Sequence, residues 1–272
     1  MTVLETGNPN LPLRLSLIVL SSMSSNKKTI LITGVTRGIG KGLLENLANC
    51  NECGTVVGIC RNDSPHFNEI KTKFQNHEKV KLFGADVADF DSLQSVVQAL
   101  HKDNIHPDVV IANAGIITPA KPVWEVTQQE LDESYQVNVR GVFNTMKAFL
   151  PHLKDKQNAV FINVSSDWGT CGSKGRIAFC MSKFAVEGMT QAAALDVENL
   201  PCTIVSVSPG MVYSDMLVEA FGEAEAKRMG APCEKFIPHF MEKMWGIQKS
   251  VSGKHLDFAM EGSGAGARAT GK

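Results

Sequence analysis

The chain has 272 residues, 43% of them hydrophobic and 20% charged, an ordinary composition for a single globular domain with a large core. Its 27 basic and 28 acidic side chains leave a net charge of -1, which gives no electrostatic reason to expect nucleic acid or an anionic membrane as a partner and favours a small ligand. Seven scattered cysteines (Cys50, Cys53, Cys60, Cys171, Cys180, Cys202 and Cys233) argue against a disulfide framework and for a reducing, cytoplasmic setting.

From the N-terminus, the apolar run at residues 11–20 is shorter than the roughly 20 residues a membrane helix needs. It also lacks the basic flank and cleavage site of a secretory signal. Residues 1–26 are expected to be a disordered extension, with Met23 a natural alternative start. Residues 27–261 form the folded domain, and the glycine-rich residues 262–272 a flexible tail. From Thr29 onward, short runs rich in Val and Ile alternate with segments of helical period, the signature of βαβ units in a doubly wound α/β domain. Strands are expected at residues 29–33, 55–60, 80–83, 109–112, 159–164 and 203–208, each buried on both faces. Long helices are expected at 128–150 and 177–199, with Pro151 ending the first. Cys50 and Cys53 have the spacing of half a metal or redox motif, but no second pair exists and no metal is expected.

Thr33-Gly34-Val35-Thr36-Arg37-Gly38-Ile39-Gly40 follows the first strand and opens a helix, so its glycines allow backbone N–H groups to cradle a pyrophosphate. The second strand ends Cys60-Arg61-Asn62, without the acidic residue that would bond a ribose 2′-hydroxyl. With Arg37 and Arg61 on hand for a 2′-phosphate, NADP(H) is the expected cofactor.

The Gly-x-x-x-Gly-x-Gly spacing and the motifs downstream resemble the short-chain dehydrogenase/reductase family, over roughly residues 27–216. The resemblance implies a single Rossmann-type sheet. Asp86 and Val87 would lie at the adenine, Asn113-Ala114-Gly115 beside the cofactor, and Asn138 would hold a proton-relay water. Pro209, Gly210, Val212 and Ser214 would lie in the loop at the nicotinamide. The family's catalytic set is Ser-Tyr-Lys. Ser166 matches the carbonyl-orienting serine, and Lys183 the lysine that binds ribose. The tyrosine belongs four residues before the lysine and about thirteen after the serine, and both counts reach Phe179. The chain is also loosely similar to altered reductases of this family in fungal alkaloid pathways, which act on iminium-type intermediates.

Without the phenol, three readings remain open. The proton comes from elsewhere, Asp167 and Tyr213 being candidates; or the substrate is an imine or iminium, with ionised Asp167 as counter-ion; or the chain is a non-redox cyclase or isomerase, or a silent NADP-binding protein. Asp167 also reads equally well as a solvated or capping carboxylate, and Trp168 as a core or lid aromatic. Residues 211–249 carry Met211, Met216, Leu217, Phe221, Phe236, Phe240, Met241, Met244 and Trp245. They suit an apolar lid over a hydrophobic small-molecule substrate, unless half of them are core. The family resemblance implies a homodimer or homotetramer built through the two long helices.

Overall fold

The computed structural model describes residues 27–262. The extension expected at 1–26, and the expected tail beyond Gly262, lie outside the described residues. The strands are β1 (Lys28–Thr33), β2 (Cys53–Cys60), β3 (Val80–Gly84), β4 (Val109–Ala112), β5 (Val160–Val164), β6 (Thr203–Ser208) and β7 (His255–Asp257). All pair in parallel, in the order β3-β2-β1-β4-β5-β6-β7. This is the expected doubly wound Rossmann-type sheet. Six strands fall on the apolar runs, because β-branched side chains suit positions covered by helices on both faces. Two expectations fail at the edges. β3 exposes Lys81, since only one neighbour covers an edge strand. β7 is His-Leu-Asp, three residues that carry no apolar alternation and pair with Ser206, Val207 and Ser208.

Helices α1 (Gly38–Ala48), α2 (Phe67–Phe74), α3 (Phe90–Lys102), α4 (Gln128–Ser134), α5 (Gly141–Leu153), α6 (Ile177–Asp196), α7 (Asp215–Phe221), α8 (Glu223–Met229) and α9 (Cys233–Trp245) complete the described chain. The continuous helix expected at 128–150 is broken by a π-helical turn, Tyr135–Arg140. Such widened turns concentrate at functional sites, and this one holds the fully buried Asn138. Pro151 does not end α5. The helix runs to Leu153, where one missing donor near the C-terminus is outweighed by burial of Phe149 and Leu153. The other long helix stops at Asp196 rather than at 199.

Each face of the sheet carries its own core. One gathers Leu43, Leu44 and Leu47 of α1 with Phe236, Phe240 and Met244 of α9. The other packs α3, α5 and α6 through Leu93, Phe149 and Val186. Phe236, Phe240 and Met244 therefore belong to the core and not to a substrate lid. Among the described residues no helix is long and apolar enough to cross a membrane, and no group of side chains is arranged to hold a metal.

The register between the two central strands is set by Asp108. Its backbone N–H donates to Thr29 O at 2.7 Å, its carboxylate accepts from Thr29 N at 2.8 Å, and its other oxygen meets Lys156 Nζ at 2.9 Å. Replacing the carboxylate leaves a backbone donor without its acceptor, a loss of about 1–3 kcal/mol. Asp108→Ala should lower the denaturant midpoint accordingly, while Asp108→Asn, which keeps an acceptor for Thr29, should lose markedly less.

Candidate functional site

The chain crosses the sheet between β1 and β4, and at the carboxyl ends of the strands this reversal opens a crevice. The cleft measures about 1230 Å³ and is lined from Gly34 in the first turn to Asp257 in the last strand. At its inner wall two backbones approach closely. Gly34 has φ +74°, and a Cβ there would lie 2.8 Å from Ala114 Cα; at Gly40 a Cβ would lie 2.1 Å from Gly34 O and 2.5 Å from Asn113 Nδ2. Asn113 fastens this turn. Its Nδ2 donates to Thr33 O at 2.9 Å and Gly34 O at 3.2 Å, while Thr33 Oγ1 accepts from the backbone N–H groups of Asn113 and Ala114, each at 3.1 Å. The N-terminus of α1 opens onto the cleft beside Thr36, Gly38 and Ile39, where its unpaired N–H groups and dipole favour an anion.

Arg37 and Arg61 both line the cleft, each already paired to a carboxylate. Arg37 meets Glu219 of α7, and Arg61 meets Asp63 at 3.5 Å with more than half of its side chain exposed. Asn62 fills the space that a side chain at Gly84 would occupy, its Oδ1 lying 1.5 Å from where a Cβ would stand. Asp86 and Val87 line the same end. Asp86 Oδ1 accepts from Ala88 N at 2.9 Å and so shapes its own turn.

Ser166, Asp167, Phe179 and Lys183 line the same cleft, as do Pro209, Gly210, Val212 and Ser214. Ser166 Oγ accepts from Trp168 N at 3.2 Å and starts a single turn of 3-10 helix, Asp167–Gly169. Phe179 is 5% exposed and meets the Trp168 ring edge-on, with centroids 5.9 Å apart. Trp168 in turn lies 6.1 Å from Phe221 of α7, which the Arg176 guanidinium covers at 5.2 Å. Lys183 Nζ donates to Val164 O at 2.9 Å and lies 5.5 Å from the Phe179 ring. Burial pulls its pKa down to about 8, since a desolvated ammonium is disfavoured.

Several expected roles are modified. Asn138 spends its side-chain amide on protein partners: Oδ1 accepts from Ile116 N at 2.8 Å, and Nδ2 donates to Ile116 O at 2.9 Å and Ser182 Oγ at 3.0 Å. Ser182 Oγ then donates to Phe179 O at 2.7 Å, so Asn138 holds the loop after β4 against the first turns of α6. Tyr213 is not among the residues that line the cleft. Its hydroxyl donates to Glu223 Oε1 at 2.7 Å, a bond that pushes the phenol pKa up, and the cleft wall is formed by its neighbours Val212 and Ser214. Ser214 accepts from Leu217 N at 3.4 Å and caps α7. Of the expected lid residues, Met211, Met216, Leu217 and Phe221 line the cleft.

The sequence reading missed the far end of this wall. His255 of β7 lines the cleft, and its Nδ1 lies 2.9 Å from Glu187 Oε1. Glu187 Oε2 accepts from Ser206 Oγ at 2.6 Å. The hydrogen bond to Glu187 raises the His255 pKa; burial opposes the rise, and the charges of Glu187, Asp167 and Asp257 add to it. Burial alone would raise Glu187, but its hydrogen bonds, chiefly from His255, hold it below the ordinary carboxylate range. The available signal was position: Glu187 follows Lys183 by one helical turn and so shares its sheet-facing side.

The family model described as short chain dehydrogenase matches residues 28–225. The NADPH-dependent pterin aldehyde reductase of Arabidopsis thaliana is 29% identical over 197 residues, which are 72% of this chain and 80% of that protein. Two solved structures share the fold. NADPH-bound carbonyl reductase from chicken fatty liver superposes with a TM-score of 0.76 at 22% identity, covering 87% of this chain and 98% of its own. A tyrosine-to-phenylalanine variant of ElxO with NADPH bound gives 0.73 at 24%, covering 86% and 98%.

The buried lysine makes stability depend on alkaline pH. In the folded chain Lys183 gives up its proton near 8, and in the unfolded chain at its ordinary 10.5. Between these values the unfolded state binds more protons, so stability rises with pH across that window, by an amount on the order of 3 kcal/mol. Buried cysteines whose pKa values are raised above 9 act alike in both proteins, so the lysine is read as a difference: the stability of wild type relative to Lys183→Met, measured by denaturation, should rise with pH across this range.

Proposed function

Since the chain belongs to the short chain dehydrogenase family, matched over residues 28–225, we propose that it is an NADP(H)-dependent oxidoreductase with an altered catalytic set. In this reading it reduces an imine or iminium group in a hydrophobic small molecule of secondary metabolism. The observation that carries the proposal is Phe179. It lines the cleft beside Ser166 and Lys183, where its ring offers no proton.

The residues present fit the cofactor. The cradle at Gly34 and Gly40 admits backbone and nothing bulkier, the start of α1 suits a pyrophosphate, and Arg37 and Arg61 line the end where a 2′-phosphate would lie. A tyrosine-to-phenylalanine variant with the same fold carries NADPH. When bound, NADPH supplies a hydride. The protein's part is to position and to compensate charge: Lys183 holds ribose hydroxyls, Ser166 orients the reacting group, and Asp167 stands as counter-ion. Trp168 and Phe179 form a wall whose faces attract a cation. A carbonyl oxygen would need a proton that Phe179 cannot give, whereas an iminium carbon accepts a hydride without one.

We also place a second copy of the chain on the helical face. Ile177, Met181 and Phe184 recur along one stripe of α6 and are 43%, 41% and 48% exposed; Phe143 of α5 is 52% exposed. Such a stripe is unusual in a monomer, and in this family it suits a homodimer or homotetramer. Phe184→Asp should shift the sedimentation coefficient to that of a smaller species. An unchanged assembly, or a monomeric wild type, would refute this interface.

The catalytic reading is tested by NADPH oxidation with wild type and Phe179→Tyr, each offered tetralone and an N-methyl dihydroisoquinolinium ion. Wild type should reduce the iminium and leave the ketone about 10²-fold or more behind, and Phe179→Tyr should raise the ketone rate by about 10²–10⁴-fold. If both proteins bind NADPH and neither consumes it, the reductase reading fails.

A further inference from the structure

The wall that lost its phenol retains one other pair able to handle a proton. Glu187 is 7% exposed and spends both carboxylate oxygens, one on Ser206 at 2.6 Å and one on His255 at 2.9 Å. A buried carboxylate bonded to Nδ1 fixes the ring orientation and the tautomer, as it does in catalytic Asp-His pairs. The other nitrogen, Nε2, is then the one left for a ligand. The histidine is not sealed in the core: a quarter of its side chain is exposed, and it lines the cleft together with Ser166, Asp167 and Phe179. A pair that served only to pin β7 to α6 would need no access to that cleft.

The groups facing His255 are acidic on every side from which charge reaches it. Glu187 comes from α6, Asp167 from the turn after β5, and Asp257 from its own strand. Lys183 is the cation of the same helix, one turn before Glu187, and the two interact. The bond to Glu187 raises the His255 pKa, burial opposes the rise, and the three carboxylates add to it, so the surroundings favour the charged imidazole.

From this juxtaposition we propose that His255, oriented by Glu187, protonates the nitrogen of a neutral imine substrate and so converts it into the iminium that accepts hydride. The proton passes from Nε2 to the imine nitrogen and leaves a neutral imidazole. The imine carbon takes the hydride from NADPH, giving an amine and NADP⁺, and solvent returns a proton to Nε2. His255 is the catalytic acid and Glu187 its positioning residue. The proposal rests on the imine reading of the cleft and is consistent with slow ketone reduction, because an imidazolium can protonate an imine nitrogen, whereas a ketone oxygen is far too weakly basic to take its proton.

Two probes separate the inference from that reading. Dihydroisoquinoline must be protonated, whereas its N-methyl iminium carries a permanent charge and needs no acid. For His255→Gln, kcat with dihydroisoquinoline should fall by about tenfold or more relative to kcat with the N-methyl ion, measured on the same protein. The wild-type rate with dihydroisoquinoline should decline as pH rises through a value above the ordinary 6.5 of histidine, and His255→Gln should lack that limb. Glu187→Gln should move the limb to lower pH and leave KM for the N-methyl ion unchanged. Equal losses on both probes, or on neither, would overturn the proposal.

If wild type reduces neither probe, the imine reading itself falls, and proton NMR of the His255 ring still decides the rest. With NADP⁺ present, added dihydroisoquinoline should shift the ring resonance in wild type. A ring that does not respond removes His255 from the site.

Discussion

Two stretches of main chain, the exit of β1 and the exit of β4, approach each other without side chains between them, and the cleft exists because they do. A Cβ at Gly34 would press on Ala114, and a Cβ at Gly40 would enter both the Gly34 carbonyl and the Asn113 amide. The contact is held by hydrogen bonds rather than by apolar packing: Asn113 spans two carbonyls of the turn while Thr33 caps two N–H groups of the opposite loop. Once this closure is made, α1 must begin at the cleft, and its N-terminal dipole is aimed there whether or not an anion is present. Asp108 sets the same two strands in register at their other ends, so the cleft inherits its position from a sheet pinned at both extremes.

The opposite wall is organised by charge in a medium that does not welcome it. Lys183 is buried and accordingly weakened as a base, and among the described residues its hydrogen-bond acceptor is the Val164 carbonyl. The Phe179 ring lies 5.5 Å from that ammonium and perpendicular to the Trp168 ring, so the contact it offers the charge is the weak attraction of a ring quadrupole. Further along α6, Glu187 balances its own desolvation with two hydrogen bonds from β6 and β7. One face of one helix therefore presents a reluctant cation and a satisfied anion in successive turns.

Much of this is legible in the sequence. The glycine turn is legible because only certain residue types fit a tight βα connection, whereas the Asn113 segment and the spacing of Ser166, Phe179 and Lys183 are legible only through the resemblance to the short-chain dehydrogenase/reductase family. What escaped did so for physical reasons. β7 is three residues long with a polar first and last position, so no periodicity marks it, and His255 was invisible as a site residue for the same reason. The helical period of residues 211–249 shows that Phe236 and Phe240 face something apolar, but cannot distinguish a ligand from a core, and here it is the core. Arg37 and Arg61 line the cleft, but their carboxylate partners Glu219 and Asp63 depend on where α7 and the loop after β2 come to rest. Pro151 looked like a stop because proline opposes helix locally, a preference that tertiary burial of Leu153 overrode.

The π-helical turn at Tyr135–Arg140 bears on how tolerant this region is to changes in length. An α-helix advances about 100° per residue, and a turn that accommodates one residue more shifts the phase of everything beyond it by that angle. Upstream, α4 packs against α6; downstream, α5 lies on β4 and β5. A one-residue deletion within the turn would restore a regular helix and rotate Asn138 away from Ile116, or else turn the α5 apolar stripe off the sheet. Either outcome damages the wall that carries Phe179. A substitution inside this helix is a local matter, whereas an insertion or deletion is a change of phase felt on both sides of it.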